Sequence, residues 1–182
     1  NRVLLSQTPP APIINVLGTN GVLIAMNTNS PSLALGTDFG YGAVGSSVAN
    51  TFSVSNAGMA TLTLTGAPAV QITGSADFSV NPQPGTTITS GNSVTFSIVF
   101  TPTANISRTG VVTIVSDDAA HTPYSFAIRG GQLNGIWTND AAGYWSDSFN
   151  WLDGGVAQGA TYTAYFVTNI TAARTVTNNM TN

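Results

Sequence analysis

The segment Val94-Thr95-Phe96-Ser97-Ile98-Val99-Phe100 largely alternates apolar with hydroxyl-bearing side chains. Successive side chains of a strand point to opposite faces, so Val94, Phe96, Ile98 and Phe100 share one face and Thr95 and Ser97 the other. The same period of two recurs in Phe52-Ser53-Val54, Leu62-Thr63-Leu64, Val112-Thr113-Ile114 and Tyr124-Ser125-Phe126-Ala127-Ile128. Turn-forming runs separate these stretches: Asn56-Ala57-Gly58, Thr73-Gly74-Ser75, Asn81-Pro82-Gln83-Pro84-Gly85 and Ser90-Gly91-Asn92. Gly supplies positive φ there, and Pro ends a ladder because it has no N–H. No stretch joins a 3.6-residue period to helix caps, so the pattern predicts an all-β chain with helix limited to a short turn.

Two breaks divide the chain. Thr8-Pro9-Pro10-Ala11-Pro12 reads as a stiff extended spacer behind the apolar arm Val3-Leu4-Leu5, and Gly130-Gly131-Gln132-Leu133-Asn134-Gly135 reads as a flexible joint. The expected organisation is an arm and spacer over 1–11, an immunoglobulin-like antiparallel β-sandwich over 12–131, and a tail over 132–182. The tail holds Trp137, Trp145 and Trp151, then two strand candidates, 161–167 and 170–177. So short a segment cannot bury itself alone and needs a partner surface, which predicts a sheet completed by another chain.

Charge narrows the function. Charged residues make up 6% of the 182 residues, against roughly 25% in an average soluble domain. Lysine, glutamate and cysteine are absent, and Arg2, Arg108, Arg129 and Arg174 face seven aspartates. Four scattered arginines cannot neutralise a run of phosphates, which excludes nucleic acid as a partner. No apolar run approaches the roughly 20 residues of a membrane helix, so no membrane span is expected. The missing cysteines exclude a disulfide scaffold and leave the redox compartment open. With little charge to keep molecules apart, contact between copies of the chain is tolerated. The start at Asn1 leads to the expectation of a processed or excised chain.

The ordered set Leu35-Gly36-Thr37-Asp38-Phe39-Gly40, Thr51-Phe52-Ser53-Val54-Ser55-Asn56-Ala57-Gly58, Asp77-Phe78-Ser79-Val80, 94–102, Ile114-Val115-Ser116-Asp117-Asp118 and 123–130 resembles the choice-of-anchor D domain. That family is an immunoglobulin-like module of bacterial surface and secreted proteins, related to the ASH and hydin-type sandwiches. In the tail, Trp137, Gly143-Tyr144-Trp145-Ser146-Asp147 and Asn150-Trp151 are similar to the opening unit of autotransporter-associated β-strand repeat proteins, which precedes a parallel β-helix. A solenoid needs several stacked rungs, and the tail offers about one. The two resemblances imply an extracellular or bacterial cell-surface setting and carry over no catalytic residues.

Candidate sites are few. His121 is the one imidazole, without a cysteine or glutamate to complete a nucleophilic arrangement, and reads as a solvated loop residue. Asp117 and Asp118 are candidate calcium ligands, against a turn in which the carboxylates accept backbone N–H groups. Asp140, Asp147 and Asp153 lack the spacing of a calcium loop. Trp137, Trp145 and Trp151 either stack on sugar rings or fill a small core. No metal and no cofactor is expected.

The sequence therefore predicts a non-enzymatic, extracellular structural protein whose partners are copies of itself, assembling through strand exchange or edge addition into a filament or matrix. The residues assigned to assembly are Val3, Leu4, Leu5, Tyr165, Phe166 and Val167, because a detached apolar arm and an open ladder edge are templates for strand pairing. The competing reading is a carbohydrate-binding or adhesive module of a larger cell-surface protein, presenting its tryptophans to a cell-surface glycan.

Overall fold

A computed structural model describes residues 9–40, 42, 44–104, 106–131, 135–151, 157, 164–166 and 171–179. Among them the chain is all-β, with one 3-10 turn at Ser148–Asn150 and no α-helix. The strands are β1 (Ile14–Leu17), β2 (Val48–Asn56), β3 (Leu62–Thr63), β4 (Val70–Gly74), β5 (Phe78–Val80), β6 (Thr87–Ile88), β7 (Ser93–Phe100), β8 (Arg108–Ile114) and β9 (Tyr124–Gly130), and the alternating segments of the sequence lie in β2, β3, β7, β8 and β9. β4 and β6 had no clear alternation in sequence, because each is short and flanked by Gly, Pro or Ser.

Two antiparallel sheets face each other, ordered β1-β2-β7-β5 and β4-β8-β9. A short β3-β6 ribbon joins them at one end. The register sets Phe52 opposite Phe96 and Val112 opposite Phe126. Phe52 and Phe96 stack with ring centres 5.5 Å apart, and Phe52 also meets Phe126 of the other sheet at 6.0 Å. Phe78 stacks on Phe100 at 4.7 Å, with Phe39 closing the same end. Each such buried side chain contributes about 1.5–3 kcal/mol relative to exposure.

The sandwich edges are not alike. On β1, the Ile14 N–H donates to Asp118 and the Val16 carbonyl accepts from Ile24. Along β9 the segment 27–40 runs as a cover: Asn27 donates to Ser125, Ala127 to Thr28, Arg129 to Thr37 and Phe39 to Arg129. Both edges are thereby closed. Among the described residues no further segment runs along β4 and β5, which lie side by side at the seam between the sheets.

Beyond the sandwich, pairing changes from antiparallel to parallel. β10 (Ile136–Trp137) pairs in parallel with β12 (Tyr165–Phe166), and β11 (Gly143–Tyr144) with β13 (Val176–Thr177). In each pair the partner stands about thirty residues further along, within the roughly 20–45-residue repeat of stacked solenoid units.

Candidate functional site

The tail is built around its tryptophans. Trp137 is fully buried and Trp151 nearly so, with ring centres 5.2 Å apart and edge to face. Trp145 meets Trp151 at 4.8 Å in the same manner. Buried indoles need an acceptor for their N–H. Trp137 donates to the Asn139 carbonyl, Trp145 to that of Ala157 and Trp151 to that of Trp145. Trp137 and Trp151 are enclosed by each other and by the chain, with Trp145 half-buried against them, which is the small-core arrangement of the two the sequence left open.

The rest of the tail motif serves that core. Asn150 is buried, donates to the Tyr144 carbonyl and accepts from Asn139 at 2.6 Å, while its own carbonyl takes the Thr138 N–H. A Cβ on Gly143 would stand 2.6 Å from Asn150 Nδ2, so only glycine lets β11 pass. Asp147 caps the 3-10 turn by accepting the Phe149 N–H at 3.1 Å.

Side chains bind the two parallel layers together. Ser146 N–H donates to Asn179 Oδ1, and Asn179 Nδ2 returns a bond to the Ser146 hydroxyl at 2.8 Å. Asp140 accepts from the Thr171 N–H and hydroxyl, and Arg174 lies 3.3 Å from its carboxylate. The Thr171 bonds, with Arg174 adding to them, hold the Asp140 carboxyl below its usual value. Sequence reasoning missed Asp140, Thr171, Ser146 and Asn179 as partners. Their spacing matches the strand offset, and only the parallel pairing makes that spacing meaningful.

Of the residues assigned to assembly, Val3, Leu4, Leu5 and Val167 lie outside the described residues, as does the side chain of Tyr165. Phe166 is half exposed, with its ring 6.1 Å from Trp137. Among the described residues β12 and β13 each have one neighbour, so the far side of each is an open parallel edge.

The aspartate candidates in the sandwich are committed to the protein's own donors. Asp117 accepts the Thr63 N–H at 2.8 Å. Asp118 is buried and accepts the N–H groups of Ile14 at 2.9 Å and Ala120 at 3.0 Å, with His121 Nδ1 2.7 Å from its Oδ2. Burial pushes the Asp118 carboxyl up, but the Ile14 N–H, the His121 ring and the Ala120 N–H together hold it below its ordinary value. His121 is thus not a freely solvated loop residue. It bonds Asp118 within the β8–β9 loop, and Asp118 ties that loop to β1 through Ile14. No cluster of three or more metal-ligating side chains forms among the described residues.

Residues 28–122 match the family model described as Abnormal spindle-like microcephaly-assoc'd, ASPM-SPD-2-Hydin, or ASH. The chain belongs to the ASH family. The ASH match ends before β9, and the tryptophan tail lies outside it. No curated protein matches the chain. Similar solved structures include a Porphyromonas gingivalis W83 protein of unknown function, 15% identical, with a TM-score of 0.46 over 66% of this chain and 46% of that one. This chain thus spans less than half of that protein. Another is the ASH / PapD-like domain 7 of human CEP192, 15% identical, with a TM-score of 0.38 over 73% of this chain and 94% of that domain. The CARDB domain of PF1109 from Pyrococcus furiosus is 11% identical, with a TM-score of 0.32 over 66% and 93%.

Proposed function

We propose that this protein is a non-catalytic structural protein of the cell exterior, in which an ASH sandwich carries the first rungs of a parallel β-solenoid. The open edge of that tail takes further strands, and assembly through it builds a surface filament or matrix. The observation that carries this reading is the pair of parallel ladders, β10 with β12 and β11 with β13, each with one side unpartnered among the described residues. An open edge is a template for another strand, and a head-to-tail contact that does not close produces a fibre. The nearly uncharged, Thr- and Asn-rich composition supports a surface that lies against its own copies. For the adhesive reading, Trp145 is the half-buried ring of the three, since Trp137 and Trp151 are buried.

The test is a concentration series followed by light scattering and negative-stain electron microscopy. Regular polymers that disappear in a Val176→Pro variant support the reading: Thr175 and Thr177 turn their backbone groups toward β11, so the Val176 N–H is the donor on the other side. A protein that stays monomeric at every concentration reached would overturn self-assembly.

A further inference from the structure

The sandwich has a second place where backbone groups face outward. β4 and β5 are the edge strands of opposite sheets and flank a groove of about 350 Å³ lined by Val70, Ile72, Phe78, Val80 and Gln83. In an antiparallel pair, alternate residues turn their N–H and C=O toward the neighbour and the rest turn them away. The Thr101 N–H donates to Asp77 and the Asn81 N–H to Ser97, so the residues between, at Phe78 and Val80, point away from β7. On β4, the Ser75 N–H donates to Thr109, which by the same alternation turns Val70 and Ile72 away from β8.

Gln83 already shows what fits this seam. Its side-chain amide accepts the Val70 N–H and donates to the Val70 carbonyl, both at 2.9 Å. A primary amide bonded in this way stands in for a peptide group of an added strand. Two positions along, Ile72 presents the same donor and acceptor, and Val80 presents its own across the groove. Among the described residues no charged side chain lines the groove. A charged occupant would lose solvation there without gaining a partner.

We infer that the β4–β5 seam is a strand-addition site for an extended, uncharged segment with apolar side chains at alternate positions, supplied by a second copy of this chain. The segment that fits this description is 3–8, which begins after Arg2, contains no ionised side chain, sets Val3 and Leu5 on one face of a strand, and precedes the spacer Pro9-Pro10-Ala11-Pro12. Backbone bonds to Ile72 and Val80 give affinity, and the apolar walls choose the side chains. The inference rests on the reading that copies associate, and it names a contact separate from the tail.

The probe is a synthetic peptide of residues 3–8, capped at both ends, with a scrambled peptide of the same composition as control, added to the full chain carrying Val176→Pro so that the tail edge is blocked. Amide hydrogen exchange followed by NMR should slow at Ile72 and Val80 with the native peptide and not with the scrambled one. Ile72→Pro should weaken peptide binding roughly tenfold, the loss of about one ladder bond. That variant keeps the sandwich ladder, since the Ile72 N–H faces away from β8, and proline is tolerated on such an edge. Protection elsewhere, or equal protection by the scrambled peptide, overturns the inference. Peptide protection at the seam in a chain whose parent never polymerises would sustain the seam and sink the filament, and polymers without seam protection would do the reverse.

Discussion

In the sandwich the rings fall into two groups: Phe52 stacks on Phe96 in its own sheet and meets Phe126 from the opposite one, and Phe39, Phe78 and Phe100 each touch the other two. In the tail, Trp151 is the ring on which both other tryptophans rest. The sandwich draws its core from strands spread over more than a hundred positions, paired antiparallel. The tail draws its core from fifteen residues and gains its remaining cover from a layer stacked in parallel about thirty residues later, a repeat length typical of solenoids. A closed sandwich can hold its shape by itself, whereas a stack of rungs gains stability with each rung added.

The largest expected effects test whether the two regions are separate. Phe96→Ala should destabilise the sandwich by about 3–5 kcal/mol, and Trp151→Ala should cost the tail a loss in the same class. All three tryptophans lie in the tail, so their fluorescence reports the tail while far-UV circular dichroism is dominated by the sandwich strands. If the comparison holds, Trp151→Ala shifts the fluorescence transition in urea and leaves the dichroism transition in place. Coincident shifts in both signals would show one cooperative unit.

Next in size is Gly143→Ala, which forces a methyl against Asn150. An overpacked contact of this kind costs about 1–3 kcal/mol, read as an earlier loss of tail fluorescence with the sandwich unaffected. An unchanged midpoint would mean that β11 does not pass Asn150 as closely as described.

Acid then separates the regions differently. The Asp118 carboxyl is lowered in the folded chain from a reference of 3.8. Its stabilisation is therefore complete above that reference and is lost as pH falls through the lower folded value. Asp118→Asn should flatten the acid limb of the sandwich melting curve while the tail transition keeps its own pH dependence from Asp140. A limb of unchanged slope would remove the Ile14 clasp from the account. The smallest effect belongs to His121→Ala. It leaves Asp118 with two backbone donors and should cost less than about 1 kcal/mol at neutral pH, measured by thermal unfolding.

Much of this was legible in the residues. Alternation marked β2, β3, β7, β8 and β9, because a period of two has one physical meaning when a face is buried. Three other features were not visible. β4 is too short and too polar at its end to show the period. The clasp of Asp118 with Ile14 spans 104 positions, and nothing local in Ser116-Asp117-Asp118 signals a partner so distant. The burial of Trp137 and Trp151 was likewise undecided, since an aromatic cluster reads the same whether its faces meet each other or a sugar.

By itself, the sequence determined that the chain is all-β and that it carries almost no charge. These follow from side-chain chemistry and a two-residue period, which are properties of neighbouring residues. Tertiary structure alone decided which edges are covered: 27–40 covers β9, Asp118 and Ile24 occupy β1, Gln83 occupies Val70 on β4, and among the described residues β4, β5, β12 and β13 have one strand neighbour each. Every strand has two edges and the same backbone groups on each. Whether an edge is satisfied depends on what the rest of the chain brings to it, and no local pattern records that.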